Sequence, residues 1–460
     1  MMRRIATLFI VVLCFTVLPI LPVRAQRNGI DPTQVAPWLG RYSPNTTIEL
    51  REDGLWFIRP PFASRLLPTP TRDVFTFEQG WIAGTFAWFS PNAQGGTSIL
   101  LRDQQGNWNE FARSGELYPD FGPPLIGALE QALEQGLVEG KAPGTILYIA
   151  VPGRGMWMGA RGLADRERGI PMTPYDRIRI ASITKLFVAT VAAQLVEEGW
   201  LPLNSTVEQW LPKLVPGGDR ITIRQLMTHT SGVPDYLTDR FVDQVHADPS
   251  HLWTPLELVG AALQRPLRFA AGERWEYSNT NYILLGMVIE QVTHNTVEFE
   301  VRQRILKPLD LQRTDFDPPT SLLGVARGYA GTTDYSDLNL SCAWAAGAMT
   351  ATMEELGHFA QALFGGKLVS LAMLQLMVKF EATGSLHPVG YGLGVMQDML
   401  ASKTLSDTTR LVWGHTGGLG GYRTVLWYLP KRGIVVTAAF NRYESDPNKV
   451  VVRVLEALDR

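Results

Sequence analysis

Short runs in which apolar and polar residues alternate fill the first part of the chain, from about Val35 to Leu117. The runs "TTIELREDGLWFI", "GWIAGTFAWF" and "TSILLRDQQGNWNEF" are separated by residues that favour turns, among them Asp53-Gly54 and Gln105-Gly106. Alternation with a period of two is typical of strands with one buried face. The pattern predicts a small all-β domain, a sheet or a barrel, over residues 26–118.

A different pattern follows the linker "YPDFGPP". The run "LIGALEQALEQGL" has a helical period, "GTILYIAVPGRGMWMGARG" indicates a strand, a turn and a strand, and a long series of helices and loops comes next. Near the C-terminus "YGLGVMQ", "YRTVLWYLP" and "GIVVTAAFN" are strand-like, and "PNKVVVRVLEALDR" closes as a helix. Because strands come first and last, we expect an α/β (α+β) domain over residues 119–460. It should hold a mostly antiparallel sheet, flanked by helices or with a helical lobe at its edge.

The first residues, "MMRRIATLFIVVLCFTVLPILPVRAQ", combine two arginines, an apolar run from Ile5 to Leu21 and a small residue, Ala25. This is the layout of a secretory signal peptide. We expect residues 1–25 to be a signal peptide cleaved after Ala25, with an uncleaved membrane anchor as the alternative. Either way the rest of the chain is predicted to be secreted, periplasmic or on the cell-envelope exterior, with a membrane contact only if the segment is uncleaved.

Composition limits the partners. Lys and Arg number 42 against 44 Asp and Glu, which gives a formal charge of -2, and no long run of one sign occurs. We therefore expect no nucleic-acid partner, since the basic surface that binds phosphate backbones is missing. Cys14 lies inside the signal segment, so Cys342 would stay alone in the mature chain, and we interpret it as a buried, unreactive thiol.

The segment "RIASITKLFVAT" sets Ser182 three residues before Lys185, where an apolar helix begins. Residues three apart share one face of a helix, so the two side chains can meet. Two interpretations are open. Ser182 is either the cap of a helix that runs to about Glu198 with Gly199 as its stop, or a nucleophile whose proton a partly desolvated Lys185 accepts.

The segment "ERWEYSNTNYILLG" places Tyr277 and Asn279 two residues apart, just before another apolar helix. A tyrosine can relay a proton, and an asparagine amide can orient an acyl group. The alternative is a packed aromatic ring and a helix cap. Both interpretations stay open on these residues alone.

The segment "WGHTGGLGGYRTVLWYLP" runs from His415, Thr416, Gly417 and Gly418 into a strand. Glycines at a strand edge let a substrate approach the backbone. A backbone N–H there would complete an oxyanion hole with the N–H of Ser182, whereas the alternative is a simple turn or bulge.

These segments occur in this order, with "LMTHTSGVPDY" between the first two. Together with "RIASITKLFVATVAAQLVEEGWLPLNSTVEQWLP", "RFAAGERWEYSNTNYILLGMVIEQVT", "ILKPLDLQRTDF" and "AAGAMTATMEEL" they resemble the serine β-lactamase-like and penicillin-binding-protein-like family over residues 125–458. That family includes class C β-lactamases, D-Ala-D-Ala carboxypeptidases, D-stereospecific aminopeptidases and related esterases. The resemblance implies the β-lactamase/transpeptidase fold.

The resemblance also implies roles. Ser182 would be the acylated nucleophile, Lys185 and Tyr277 would share its proton, Asn279 would position the acyl side chain, and Gly418 would supply an oxyanion-hole N–H. His229 of "THTSG" we interpret as a structural residue that holds a loop.

His415 stands where many relatives have the lysine of a Lys-Thr-Gly triplet. A histidine with a pKa near 6.5 is mostly neutral at pH 7 and becomes a cation toward pH 6. The resemblance to the peptidase and esterase branches therefore favours neutral esters or amides over substrates with a free carboxylate.

We predict an exported serine hydrolase that acts through an acyl-enzyme on an ester or amide, with a small-molecule or peptide substrate and no cofactor. The alternatives are a β-lactamase or D-Ala-D-Ala carboxypeptidase, and a non-catalytic protein that binds a cell-envelope ligand. Neither Gly-x-Ser-x-Gly nor His-Glu-x-x-His occurs, which argues against an α/β-hydrolase and a zinc protease. His246 and His251 have no evident third ligand, so we expect no metal site.

Overall fold

The computed structural model describes residues 121–316 and 324–459, together with eight strands of the N-terminal part. The chain divides into two compact units, residues 1–119 and 120–460. In the first unit the eight strands pair antiparallel in chain order and β8 returns to β1, so that they close into a barrel. These strands are β1 (Gly40–Tyr42), β2 (Thr46–Arg51), β3 (Gly54–Arg59), β4 (Phe62–Pro68), β5 (Val74–Phe77), β6 (Phe86–Pro91), β7 (Thr97–Arg102) and β8 (Trp108–Gly115).

Ile48, Phe57 and Leu66 are buried in the barrel. They lie on the neighbouring strands β2, β3 and β4. The predicted signal segment, residues 1–25, lies outside the described residues.

The second unit is built on a nine-stranded antiparallel sheet with the strand order β11-β10-β9-β22-β21-β20-β19-β18-β17. Its first long strand pairs with its last one, from Ala150 opposite Val435 to Thr145 opposite Phe440. This confirms the predicted return of the C-terminal strands to the N-terminal pair. The strands are β9 (Gly144–Val151), β10 (Gly155–Asp165), β11 (Ile170–Pro171), β17 (Glu381–Ala382), β18 (Gly390–Tyr391), β19 (Met396–Met399), β20 (Leu411–Leu419), β21 (Tyr422–Leu429) and β22 (Ile434–Phe440).

Helices cover both faces of this sheet. Successive residues of a strand point to opposite faces. On β22 the Thr437 hydroxyl donates to the Met353 carbonyl at the start of one helix, while Phe440 lies against Gly140 of another. The covering helices are α1 (Gly122–Gly140), α10 (Met353–Phe364) and α13 (Pro447–Leu458). The α/β (α+β) class with a mostly antiparallel sheet flanked by helices is thus confirmed.

The predicted helical lobe is present as well, and it packs around two buried helices, α2 and α7. Their apolar residues occupy nearly every face, which is typical of a helix enclosed by protein. The remaining helices are α2 (Thr184–Glu197), α3 (Val207–Trp210), α4 (Ile223–Met227), α5 (Asp239–Ala247), α6 (Pro255–Ala262), α7 (Thr280–Thr293), α8 (Val297–Val301), α9 (Trp344–Gly347), α11 (Leu371–Met377) and α12 (Asp407–Arg410).

Short strands join the lobe to the sheet. Ile178–Arg179 (β12), Asp315–Phe316 (β13) and Met349–Ala351 (β16) form a three-stranded sheet, and Tyr329–Ala330 (β14) pairs with Thr333–Asp334 (β15). Within the described part of the chain, no helix is both long and apolar enough to cross a bilayer.

Candidate active site

Ser182 lies in a single 3₁₀ turn, Ala181–Ile183, that leads into α2. Neither this turn nor α2 has a side-chain hydrogen bond at its N-terminus, and the N-cap position of α2 is Ile183. The Ser182 hydroxyl is therefore not a helix cap, although Gly199, with φ of 78°, ends the helix where the sequence predicts. The preceding residue, Ala181, has φ of 49°, a left-handed conformation that is costly for a residue with a Cβ.

Lys185 lies one turn after Ser182 and is completely buried. Its Nζ is 3.0 Å from Ser182 Oγ, 2.8 Å from Asn279 Oδ1 and 2.7 Å from the Ala346 carbonyl. The two carbonyl oxygens can only accept hydrogen bonds. A neutral amine would therefore give them its two N–H groups and turn its lone pair toward the serine hydroxyl.

Burial lowers the pKa of Lys185 to about 7, an effect that the charge of Asp235 partly opposes. Desolvation acts in this direction because it disfavours the charged form of the amine. Near neutral pH a substantial fraction of Lys185 is therefore the free amine that can accept a proton from Ser182.

Tyr277 is a second ionisable group beside Ser182 and Lys185. Its ring centroid is 5.1 Å from Lys185 Nζ, and Tyr277 lines the same cavity as Ser182. Burial raises the pKa of the phenol, with the Ser182 side chain opposing this effect. Tyr277 is thus protonated at neutral pH, and it can donate a proton at the same oxygen that Lys185 faces.

Asn279 is held by Asp235, a residue that the sequence analysis missed. The Asp235 carboxylate accepts the Asn279 side-chain Nδ2 at 2.9 Å and its backbone N–H at 3.1 Å. Because a carboxylate only accepts, it fixes the amide with Oδ1 toward Lys185. Burial raises the pKa of Asp235, while its hydrogen bonds and Lys185 lower it. Asp235 ends the "SGVPD" segment, and no local pattern shows that it faces residues far along the chain.

His229 is buried beside Tyr277, with their ring centroids 4.2 Å apart. Its Nδ1 accepts the Ser278 N–H at 3.2 Å, so the ring proton is on Nε2, which has no hydrogen-bond partner among the described residues. Burial, followed by the charges of Lys185 and His415, holds the pKa of His229 well below its usual range. The ring is a neutral support for Tyr277, as its structural interpretation requires.

His415 lies on β20 and is completely buried. Its Nδ1 is 2.6 Å from the Thr416 carbonyl, and its Nε2 is 3.0 Å from the Tyr391 hydroxyl. The carbonyl can only accept, so Nδ1 donates to it and Nε2 accepts from Tyr391. Both ring nitrogens are thus used within the protein. Burial and the charge of Lys185 lower the pKa of His415 to about 3, so the expectation that it becomes a cation near pH 6 is wrong.

The end of β20 has one open edge. Strand β19 pairs with β20 only between Leu411 and Gly414, and the later residues pair only with β21. The turn that carries Ser182 lies against this segment. A Cβ at Gly417 would be 2.2 Å from the Ile180 carbonyl oxygen, so only glycine permits this approach.

A cavity of about 680 Å³ opens onto these residues. Of the predicted site residues, Ser182, Tyr277, Asn279, His415, Thr416 and Gly418 line it, with Lys185 and Gly417 behind its surface. Part of the cavity wall is apolar and includes Leu237, Phe241, Val242, Val245 and Leu338. A volume of this size suits a small organic substrate or a short peptide.

Two residues to which the sequence assigns no catalytic role, Cys342 and His246, also lie at this cavity. Burial raises the pKa of the Cys342 thiol to about 12, so it stays protonated. His246 lines the cavity, and its ring packs 5.2 Å from that of Tyr335. In the described ranges, no three His, Cys, Asp or Glu side chains are grouped so as to hold a metal ion.

Comparison with known proteins gives three results. The Beta-lactamase family model matches residues 129–459. Among solved structures, the D-stereospecific amidohydrolase from Streptomyces sp. is 35% identical with a TM-score of 0.62, over 71% of this chain and 97% of that one. The D-amino acid amidase from Ochrobactrum anthropi SV3, solved with L-phenylalanine amide, is 27% identical with a TM-score of 0.66, over 73% of this chain and 99% of that one.

Among curated proteins, Esterase EstB from Burkholderia gladioli is 33% identical over 206 residues, which are 42% of this chain and 52% of EstB. The matched segments span about half or less of the curated relatives.

Proposed function

Because the chain belongs to the Beta-lactamase family, we propose that it is a serine hydrolase that cleaves an ester or amide through an acyl-enzyme on Ser182. One observation carries the proposal: the buried Lys185 Nζ lies 3.0 Å from Ser182 Oγ, with its pKa lowered to about 7. A serine hydroxyl is a weak nucleophile until a neighbouring base accepts its proton, and a desolvated lysine is such a base.

In the acylation step, Ser182 Oγ attacks the carbonyl carbon while its proton passes to Lys185. The N–H groups of Ser182 and Gly418 would hold the negative oxygen that forms. The phenol of Tyr277 then protonates the leaving group as the bond to the carbonyl carbon breaks, and Lys185 returns the proton to Tyr277. In deacylation, water attacks the ester, its proton passes to the Lys185–Tyr277 pair, and Ser182 leaves with a proton.

Substrate placement would come from two sides. Asn279, fixed by Asp235 and Lys185, presents its amide at the cavity, and Thr416 lines the cavity from strand β20. The apolar wall favours a substrate with an apolar group, in keeping with a phenylalanine amide as ligand of the amidase relative. An esterase or D-amino-acid peptidase activity therefore ranks before the alternatives of a β-lactamase or a D-Ala-D-Ala carboxypeptidase. A non-catalytic binding protein does not require a buried lysine with a pKa near 7 beside a serine, so Lys185 favours an enzyme.

The test combines labelling and turnover. A serine-directed phosphonate should add one group per chain, mapped to Ser182 by mass spectrometry, and the Ser182→Ala variant should stay unlabelled. The ranking of kcat/KM over short esters, D-amino-acid amides, D-Ala-D-Ala peptides and a chromogenic cephalosporin then identifies the substrate class. Equal labelling of the Ser182→Ala variant would exclude the acyl-enzyme.

We also propose that the chain is exported and that residues 26–118 are a separate unit, dispensable for the chemical step. The arginines and apolar run of residues 1–25 support export. All of the proposed catalytic residues lie after residue 119. N-terminal sequencing of the protein from the culture medium and cell envelope tests the first point. Hydrolysis of 4-nitrophenyl acetate by a folded chain without residues 26–118 tests the second.

A further inference from the structure

Arg423 lies on β21 directly opposite Gly418 of β20. Residues that face each other across an antiparallel pair project to the same side of the sheet. The guanidinium accordingly covers Gly418, where a Cβ would be 3.0 Å from Arg423 Nη1. Because Gly418 has no side chain, the cation lies at the cavity wall beside the proposed oxyanion hole.

The guanidinium is held in place by Tyr443. Arg423 Nε donates to the Tyr443 carbonyl at 2.8 Å, and Arg423 Cζ lies 4.6 Å from the centroid of the Tyr443 ring. These contacts fix the plane of the group and leave both Nη atoms without a hydrogen-bond or carboxylate partner within the described ranges. By contrast, Arg432, in the turn that follows β21, is paired with Asp459 at 2.5 Å.

The charge balance of the cavity singles out this residue. Among the described residues that line the cavity, Arg423 is the one Lys or Arg, and none is Asp or Glu. His415 is kept neutral by burial. An apolar cavity with a single fixed positive charge matches a ligand that carries one negative charge.

We propose that Arg423 binds a carboxylate of the substrate, so that the preferred esters or amides carry a free carboxylate. This reverses the preference for neutral esters or amides that the histidine at position 415 favours in the sequence. This rests on the proposed acyl-enzyme function of Ser182 and adds its substrate class. The planar guanidinium offers two parallel N–H groups to a carboxylate, and its fixed plane reduces the entropy lost on binding. The cation that many relatives place at the position of His415 is supplied here by the neighbouring strand.

The experiment uses two pairs of esters on the full chain, each pair an acid and its uncharged amide. Mono-4-nitrophenyl glutarate and 4-nitrophenyl glutaramate place the group on the acyl part, and 3-carboxyphenyl and 3-carbamoylphenyl butyrate place it on the leaving group. The readout is the ratio of kcat/KM for acid over amide. The Arg423→Gln variant should lower this ratio about ten- to thirtyfold in at least one pair, the scale of one charge-assisted hydrogen-bonded pair.

The Arg423→Lys variant should lie between wild type and Arg423→Gln, because it keeps the charge and loses the planar fork. The Arg432→Gln variant removes the same charge from the other end of β21 and should leave the ratio unchanged. The pair that responds shows which half of the substrate carries the carboxylate. An Arg423→Gln ratio equal to wild type in both pairs would overturn the proposal.

Binding to the Ser182→Ala variant separates this proposal from the proposed function. Calorimetry on that variant should show that an acid binds about tenfold more tightly than its amide, and the added Arg423→Gln change should remove the difference. If wild type hydrolyses no ester, the proposed function fails, and the binding comparison alone decides the role of Arg423. Equal binding of acid and amide would exclude it.

Discussion

The two walls of the cavity differ in how their ionisable side chains are buried and paired. On the helical-lobe side, the ionisable group of Lys185 is buried and that of Asp235 is half-buried, and both bind the same Asn279 amide. On the sheet side, the buried residue His415 is neutral, and the charged one, Arg423, has a free guanidinium edge.

This difference separates two tasks. Paired and desolvated groups have shifted pKa values and can exchange protons near pH 7, whereas a permanently charged group at the surface can attract an ion but cannot relay a proton. We infer that the lobe wall carries the chemical step and that the sheet wall selects the substrate. Changes in the lobe wall should therefore lower kcat for every substrate, and changes in the sheet wall should alter the ratio between substrates.

The largest effect is expected for Lys185→Met. Loss of the base should lower kcat about 10³- to 10⁴-fold for acid and amide substrates alike, because general acid–base catalysis contributes about this much. The melting temperature should change little, since the cost of burying an amine disappears while the Asn279 and Ala346 oxygens lose their donor. The exposed Lys307→Met is the matched control. A large loss of stability with modest loss of rate would make Lys185 a packing residue.

The second effect concerns Tyr277→Phe, which keeps the ring against His229 and removes the hydroxyl. We expect kcat to fall about 10²- to 10³-fold, since a proton donor to the leaving group is lost. The fall should be smaller for 4-nitrophenyl esters, whose leaving group needs little protonation. Tyr329→Phe is the control, because its hydroxyl also donates to a partner, Glu167 at 2.6 Å, outside the cavity. A similar loss for every leaving group would contradict the role of Tyr277 as proton donor.

The third effect concerns Asp235→Asn, which tests a positioning residue. We expect kcat/KM to fall about tenfold, because the amide of Asn279 is no longer fixed by a charged acceptor. The carboxylate of Asp235 also raises the pKa of Lys185, so its loss should lower that pKa further. The acid limb of the pH profile, expected near pH 7 in wild type, should then move to lower pH.

Asp165→Asn is the control for this change. Asp165 is a buried aspartate that accepts the backbone N–H of Arg168 at 2.9 Å, outside the cavity. An acid limb that stays in place in the Asp235→Asn variant would leave Asp235 with a purely structural role.

Local spacing explains which parts of the two walls the sequence predicts. Ser182 and Lys185 are neighbours because residues three apart share a helix face. The strands of the sheet follow from their apolar runs between turn residues. Even the position of Arg423 opposite Gly418 follows from the Gly420-Gly421 turn, a strong hairpin signal.

Tertiary contacts explain what the sequence does not show. Asp235 meets Asn279 across 44 residues of chain, and no periodicity reports such a contact. The pKa of His415 depends on its burial in the folded protein, so the ordinary histidine pKa near 6.5 does not apply to it. The sequence shows which side chains can carry a charge, but it does not show how strongly burial shifts their pKa values.

For His415 we expect no change in substrate preference with pH. Burial lowers the pKa of His415 to about 3, so its cation forms only as the pH falls toward that value. Between pH 5.5 and 8 the ratio of kcat/KM for acid over amide esters should therefore stay constant, because Arg423 is charged throughout and His415 is neutral throughout. In the unfolded chain the same histidine takes up a proton near pH 6.5, so the folded state should lose stability as the pH falls from about 6.5 toward 3. Replacing His415 by Gln should make this loss shallower, measured as the melting temperature against pH. A ratio that rises as the pH falls through 6.5 would place a titrating histidine of the cavity lining, which holds His246, His387 and His415, at the substrate, and Arg423 alone would then not select carboxylates.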